Sequence, residues 1–159
     1  MDLDLLNHAI NLRKTKNFEE SRQILFSLVN LGNSNGTVYL NIAWSYDNQG
    51  QEREALKYYK KTLDEVLTKE EKFEAIFGLA CTYRCLEYLN EAEFLFIQLC
   101  KDYPNATEVI PFYALCLISL GKKDDALKLL FTLIIDYPPT EHILAYKTVI
   151  SDYLQSMEL

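Results

Sequence analysis

The sequence predicts an all-α solenoid of about four helical hairpins followed by one capping helix. Small residues recur in two columns, one for each helix of a hairpin. The first-helix column is Ala9, Ala43, Ala80 and Ala114, and the second-helix column is Ser21, Ala55, Ala92 and Ala126. Successive intervals in both columns are 34, 37 and 34 residues. A large apolar residue follows each small residue by three positions in the first column and by four in the second. Such a period is typical of stacked helical repeats.

Composition places the chain among ordinary globular proteins and excludes several functions. The 159 residues are 49% hydrophobic, and we expect them to form a single domain, residues 1–159. A net charge of −7 argues against binding nucleic acid or an anionic membrane surface, which require a basic face. We see no secretory signal and no membrane span. Four cysteines without disulfide-like spacing favour a reducing, cytoplasmic setting.

The first repeat is predicted to cover about residues 2–35. The segment from Asn17 to Glu20 offers a capping box at the start of its second helix, because the amide oxygen could accept a backbone N–H while the carboxylate reaches back. Gly32 is predicted to end that helix, since glycine readily adopts the left-handed conformation of a C-cap.

The second repeat is predicted to cover about residues 36–72. Its second helix is expected to run from Glu52 to about Leu67. Thr68 and Glu71 then form a second predicted capping box, which opens the third repeat. The three extra residues of the 37-residue interval are expected at this junction.

The third and fourth repeats are predicted at about residues 73–106 and 107–140. Pro104 stops the second helix of the third repeat, and the same Asp-Tyr-Pro sequence recurs 34 residues later. Pro111 lies early in the next helix. That helix therefore either starts as late as Thr107 or has a bent first turn.

The last segment, about residues 140–157, is predicted to form one unpaired helix. Apolar residues follow one face and polar residues the other. A final helix of this kind covers the open end of a solenoid, so we interpret it as a cap.

With these columns in register, the chain resembles the tetratricopeptide-repeat (TPR) family over about residues 2–138. The third repeat carries the family pattern in Leu79, Ala80, Tyr83, Ala92, Phe96 and Pro104. The second carries it in Tyr39, Ile42, Ala43, Tyr46, Ala55 and Tyr59. The resemblance implies a right-handed superhelix whose first helices line a concave groove. It also implies that the protein binds a partner and does not catalyse a reaction, and it does not identify that partner.

A second apolar pattern lies on the first helices, away from the packing stripe. In the second repeat it consists of Leu40 and Trp44, about 100–140° round the helix from the packing residues. The equivalent pairs are Leu6 and Ile10, Phe77 and Cys81, and Pro111 and Leu115. Polar residues edge this apolar floor, namely Asn7, Arg13, Asn41, Asp47, Asn48 and Arg84. We therefore predict a groove that binds an apolar or amphipathic peptide or helix, with Leu40, Trp44 and Phe77 as anchors.

Two alternatives stay open for the same residues. The protein could be a homo-oligomeric scaffold, such as a homodimer, that self-associates through the apolar groove or the terminal helix. Alternatively, a tight superhelix could bury these side chains as internal packing.

No metal, cofactor or catalytic centre is predicted. Cys81 and Cys85 share a helix face and Cys116 lies on the next first helix, but zinc sites usually show a tighter pair and a second pair. No phosphate loop, nucleophile elbow or His/carboxylate cluster occurs. Some TPR proteins grip a chaperone's C-terminal carboxylate, and of the positions they use only Asn41 fits here.

Overall fold

The computed structural model describes residues 2–156, which form ten helices and no strand. In chain order these are α1 (Leu3–Lys14), α2 (Phe18–Asn30), α3 (Gly36–Asp47), α4 (Glu52–Leu63), α5 (Lys69–Cys85), α6 (Leu89–Asp102), α7 (Val109–Ser119), α8 (Lys123–Asp136), α9 (Glu141–Ala145) and α10 (Lys147–Ser156). The prediction of an all-α fold is confirmed. No helix within these residues is both long enough and apolar enough to cross a membrane.

Contacts along the chain define two compact units. The N-terminal unit is Met1–Leu95 and holds α1 to α5 with the start of α6. The C-terminal unit is Phe96–Leu159 and holds the rest of α6 with α7 to α10.

Both columns of small residues are buried. All eight residues are 0 or 1% exposed. Ser21 fits a column otherwise made of alanine because its hydroxyl donates a hydrogen bond to the carbonyl of Ala9, at 2.7 Å. A buried hydroxyl needs such a partner. The columns read from the sequence are therefore the packing positions of the fold.

Two core clusters stabilise the N-terminal unit. The first joins α1, α2 and α3 through Leu6, Ala9, Leu25, Leu28, Val38 and Ile42. The second joins α3, α4 and α5 through Leu40, Ala43, Ala55, Tyr59, Ala75 and Leu79. Burying one leucine side chain contributes about 1.5–3 kcal/mol, so these clusters account for much of the stability of the unit.

A buried arginine adds a polar link between α2 and α3. Nη1 of Arg22 donates to Ser45 Oγ at 2.8 Å and to Gln49 Oε1 at 2.6 Å. The guanidinium also lies over the ring of Tyr46, 4.5 Å from its centroid. Neutral acceptors and an aromatic face thus satisfy this cation inside the unit.

Tyr59 is fully buried beneath Gly78. Its hydroxyl donates to Asp47 Oδ2 at 2.7 Å. A Cβ added to Gly78 would lie 2.3 Å from Tyr59 Cζ, so only glycine leaves room for the phenol ring. Burial, followed by the nearby Asp47 carboxylate, raises the pKa of Tyr59 far above its ordinary value, which keeps the phenol protonated.

Two of the predicted helix signals are confirmed and one is wrong. Thr68 and Glu71 form the expected capping box, and Gly32 follows α2 in a left-handed conformation. The side chain of Asn17 makes no cap hydrogen bond and instead donates to Thr15 Oγ1 at 3.3 Å. Its backbone is not extended as a capping residue requires, because the chain enters α2 directly from Lys16 in a left-handed conformation.

The junction after α4 differs from the prediction. This helix ends at Leu63, not at about Leu67. The side chain of Leu67 folds over the start of α3, where its Cδ2 lies 2.1 Å from the position that a Cβ on Gly36 would take. Ala43 is the eighth residue of α3 and Ala80 the twelfth of α5, so α5 gains an additional first turn at this junction. Thr37 on α3 donates a hydrogen bond to Glu71 in that turn.

In the C-terminal unit, Ala114, Leu117 and Ala126 form a core cluster between α7 and α8, and Phe96, Leu99 and Val109 are also fully buried. Because α7 begins at Val109, two residues later than Thr107, Pro111 is its third residue. An N–H at that position has no intrahelical acceptor, so the helix needs no bend. The helices α6 and α8 end two residues before their prolines, as predicted.

The predicted single helix over residues 140–157 is divided. Tyr146 separates α9 from α10, because its N–H bonds to the carbonyl of Ile143 in a tight turn and not to the residue four positions back. No residue of α9 or α10 is buried. Residue 157 lies outside the described residues.

Candidate binding surface

The predicted groove residues on α1, α3, α5 and α7 separate by burial. Leu6, Leu40 and Asn41 are only 4, 2 and 3% exposed. The two leucines belong to the core clusters of the N-terminal unit, and so the structure assigns them to internal packing. They are not an exposed apolar floor, because each lies at the contact between its own helix and a neighbouring helix. This was one of the alternatives that the sequence left open.

Four other apolar groove residues of the N-terminal unit are half-buried, namely Ile10, Trp44, Phe77 and Cys81. Trp44 packs against the second core cluster. The ring of Phe77 lies 5.7 Å, centroid to centroid, from that of Phe73 one helical turn earlier. These side chains are held by packing yet still present part of their surface to a partner.

The best-defined polar arrangement surrounds Trp44. The guanidinium carbon of Arg13 on α1 lies 4.7 Å from the centroid of the Trp44 ring on α3, a cation–π geometry. Arg13 Nε donates to Asn41 Oδ1 at 2.9 Å, and Asn41 Nδ2 donates to the carbonyl of Thr37 at 2.9 Å. Desolvation by burial lowers the pKa of Arg13, countered in part by Tyr59. The side chain of Asn41 thus fixes the arginine over the indole ring.

Two further charged groups occupy equivalent positions on the next first helices. Asp47 on α3 accepts the hydrogen bond from Tyr59 described above, and burial raises the pKa of its carboxyl group. Arg84 on α5 is half-buried. Its Nε is shielded from solvent and makes no hydrogen bond, and its Nη2 lies 3.9 Å from Cys85 Sγ.

In the C-terminal unit the predicted residues Pro111 and Leu115 are exposed on α7. Phe112 and Ile118, which the sequence reasoning missed as apolar surface residues, lie one helical turn to either side of Leu115. Phe112, Leu115 and Ile118 are 40, 46 and 44% exposed, and we call them the α7 stripe. Their spacing of three residues could have identified them, since residues three apart share a helix face.

A second apolar surface in the C-terminal unit lies between α8 and α10. A cavity of about 250 Å³ there is lined by Phe131, Ile150, Tyr153 and Leu154. Tyr153 is 68% exposed. This surface shows that α10 has an apolar side that the chain does not fully cover.

Metal-binding chemistry finds no support in residues 2–156, where no three His, Cys, Asp or Glu side chains cluster. Cys81 is half-buried, Cys85 is exposed and Cys116 is buried.

Comparison with known proteins agrees with this architecture. The family model of the tetratrico peptide repeat matches residues 36–157, and the chain belongs to the tetratricopeptide-repeat family. Among solved structures, YrrB, described as a TPR protein with an unusual peptide-binding site, aligns with a TM-score of 0.72. The alignment covers 86% of this chain and 69% of YrrB at 18% identity.

Two crystal forms of MamA AMB-1 align over 97% of this chain at 16% identity. Their TM-scores are 0.70 and 0.68, with 84 and 91% of the MamA chains covered. No curated protein matches the sequence significantly. At such identities the structural similarity establishes the fold, an α-solenoid of helical hairpins.

Proposed function

We propose that this protein is a non-catalytic protein–protein interaction module that binds an apolar or amphipathic segment through its first helices. The exposed α7 stripe carries the proposal. Three large apolar side chains in a row on one helix face are costly to leave in water, and such patches usually mark interaction sites. An amphipathic helix would bury its own apolar stripe against them.

The N-terminal unit carries a candidate surface of its own around Trp44. Trp44 is half-buried and fixed by packing and by Arg13, so a partner would not need to order it. Tryptophan is among the residues that most often dominate binding energy. The peptide-binding site by which YrrB is described supports the same use of this fold. Four cysteines, none of which forms a disulfide within residues 2–156, support a cytoplasmic setting for the module.

Self-association is the second candidate function, and the surface of α10 favours it. The apolar residues around the cavity between α8 and α10 are only partly covered, and a second copy of the chain could cover them. This candidate uses a surface distinct from the α7 stripe, so substitutions separate the two.

The proposal is tested by selecting peptides from a displayed random library against the purified protein. We expect the selected peptides to carry apolar residues at helical spacing and to lose at least about tenfold in affinity for Leu115→Asp. Leu127→Asp is the matched control, because Leu127 is 45% exposed but lies on α8, a second helix. Circular dichroism establishes that both variants fold.

The outcomes separate the candidates. If Leu115→Asp binds the selected peptides as tightly as the wild type does, the α7 stripe is not the binding surface. Light scattering at two protein concentrations tests self-association. A monomer at both concentrations eliminates it, whereas a dimer that Tyr153→Asp disrupts would support the α10 surface.

A further inference from the structure

Three first helices of the N-terminal unit place a charged residue at the same position. These residues are Arg13 on α1, Asp47 on α3 and Arg84 on α5, separated by the same intervals of 34 and 37 residues that define the repeats. The face thus carries the charge order positive, negative, positive. If the side chains were close enough, Asp47 would form ion pairs with Arg13 and Arg84.

The carboxylate of Asp47 is nevertheless engaged elsewhere. It accepts the hydrogen bond of Tyr59, the phenol that reaches it beneath Gly78. The carboxylate of Glu71, at the start of α5, is likewise engaged, because it accepts hydrogen bonds from the Thr37 hydroxyl and the Thr68 backbone N–H. Neither Arg13 nor Arg84 forms an ion pair with any residue in the described range 2–156.

The two arginines differ from the buried Arg22, whose Nη1 donates to several acceptors inside the fold. Arg13 uses its Nε for Asn41, and its terminal nitrogens make no hydrogen bond within residues 2–156. Arg84 has an Nε that is shielded from water and lacks an acceptor. Desolvating a guanidinium without a counter-ion is costly, and a carboxylate from outside the chain would remove that cost.

We propose that this face of the N-terminal unit binds an acidic amphipathic segment, whose carboxylates pair with Arg13 and Arg84 while an apolar side chain packs beside Trp44. The inference rests on the proposed function and adds the chemistry of the partner. Asn41 holds Nε of Arg13, so the two terminal nitrogens form the edge that meets a carboxylate in a bidentate pair. At Arg84, whose Nε is shielded, the half-buried guanidinium would meet the carboxylate through its terminal nitrogens.

The net charge of the chain makes this preference distinctive. At −7, long-range electrostatics attract basic peptides and repel acidic ones. A preference for an acidic segment therefore has to come from local pairs such as those of Arg13 and Arg84. Added salt screens the long-range repulsion but acts less on half-buried pairs.

Three fluorescein-labelled amphipathic peptides test the proposal. All three peptides have the same leucines at helical spacing and contain no tryptophan. Their remaining positions are all Glu in the first peptide, all Gln in the second and all Lys in the third. Fluorescence anisotropy gives the affinities. The emission of Trp44, the single tryptophan of the chain, reports whether binding reaches this face. We expect the Glu peptide to bind about tenfold more tightly than the Gln peptide, and the Lys peptide most weakly.

Substitutions then assign the preference. Arg13→Gln and Arg84→Gln should each lower the affinity for the Glu peptide by a larger factor than the affinity for the Gln peptide, so that the advantage of the Glu peptide falls severalfold. Arg53→Gln is the control, because Arg53 is an exposed arginine on α4 of the same unit. It should change neither affinity.

The results distinguish this inference from the proposed function. If the Glu and Gln peptides bind equally and shift the Trp44 emission, the inference of an acidic partner is wrong, while the proposal that this face binds amphipathic segments stands. An effect of Arg53→Gln as large as that of Arg13→Gln would reveal a general charge effect and overturn the assignment. If none of the three peptides binds, the inference of an acidic partner and the proposal that this face binds amphipathic segments are both wrong.

Discussion

At the scale of single residues, Tyr59 and Gly78 form a pair in which the side chain at one repeat position requires glycine at another. Tyr59 occupies a position where an apolar side chain would suffice, yet its hydroxyl extends past Gly78 to reach Asp47. The phenol therefore requires glycine on the neighbouring first helix, and the repeat pattern alone would not reveal this dependence.

Gly78→Ala is expected to destabilise the protein. Alanine in place of glycine inside an open helix usually stabilises it by about 0.4–1 kcal/mol. Here the new methyl group would overlap the phenol ring of Tyr59, and overpacking of this kind costs about 1–3 kcal/mol. Chemical denaturation of wild type and variant measures the difference in the free energy of unfolding.

A second background identifies the cause of that change. Leucine lacks the outer ring atoms, so Gly78→Ala made together with Tyr59→Leu should lose most of its destabilising effect. If the cost of Gly78→Ala is the same in both backgrounds, the clash with Tyr59 is not its cause.

The sequence identified the groove residues by type and spacing but not by burial. Leu40 and Trp44 lie one turn apart on α3, yet one is buried in a core cluster and the other is half-buried. Periodicity fixes the face of a helix on which a residue lies. How closely the neighbouring helix approaches that face depends on side chains from other repeats, which the pattern of one helix does not contain.

At the scale of helices and their ends, the two predicted capping boxes had the same kind of sequence and different outcomes. Thr68 has the extended backbone of a capping residue, whereas Asn17 does not. The difference comes from the turn before the helix, where Lys16 adopts a left-handed conformation. The sequence does not predict this conformation, because lysine rarely adopts it. The early end of α4 has a similar origin, because Leu67 packs on α3 and does not extend its own helix.

The capping box of α5 should make stability depend on pH. Burial by itself raises the pKa of Glu71, but hydrogen bonds from Thr37 and Thr68 outweigh it, so the pKa in the folded state lies below the ordinary value of 4.5. The charged carboxylate therefore adds stability above that value, and this contribution is lost as the pH falls through the lower pKa of the folded state.

Glutamine at position 71 can still complete the capping box but lacks the charge, so Glu71→Gln should lower the free energy of unfolding by about 0.3–1 kcal/mol at neutral pH. The difference from the wild type should narrow in acid, below the pH at which the carboxylate of the folded protein becomes protonated. Denaturation at a series of pH values measures it. Glu70→Gln, which changes the adjacent exposed acid, is the control, and an equal effect of both substitutions would argue against the capping box.

At the scale of the whole molecule, the two compact units differ in how much apolar surface they bury. Helix α3 alone has seven buried residues, whereas α9 and α10 have none. The repeat columns did not predict this contrast, since Ala114 and Ala126 keep the same register as the earlier repeats. The fourth repeat has Leu117 and Leu130 where the second and third have aromatic residues, so the cluster between α7 and α8 has smaller side chains at these two positions.

Native-state hydrogen exchange should reproduce this contrast. Amides of α10 are expected to exchange through openings of lower free energy than amides of α3, because few buried contacts hold the terminal helix. Exchange followed by mass spectrometry resolves the two segments. Equal protection of α10 and α3 would contradict the expectation.

The contact between Leu67 and Gly36 bears on how this chain could be cut, extended or recombined. Repeat proteins are commonly treated as strings of exchangeable modules, joined wherever one hairpin ends. Here the linker after α4 folds back onto the start of its own repeat, and Thr37 bonds to Glu71 in the next one. Residues 36–71 should therefore be transferred together when repeats are exchanged. A junction placed inside the linker would remove Leu67 from its contact with Gly36. A chimera that keeps both ends of this block should fold, whereas one that exchanges only one end would carry either a gap or a clash.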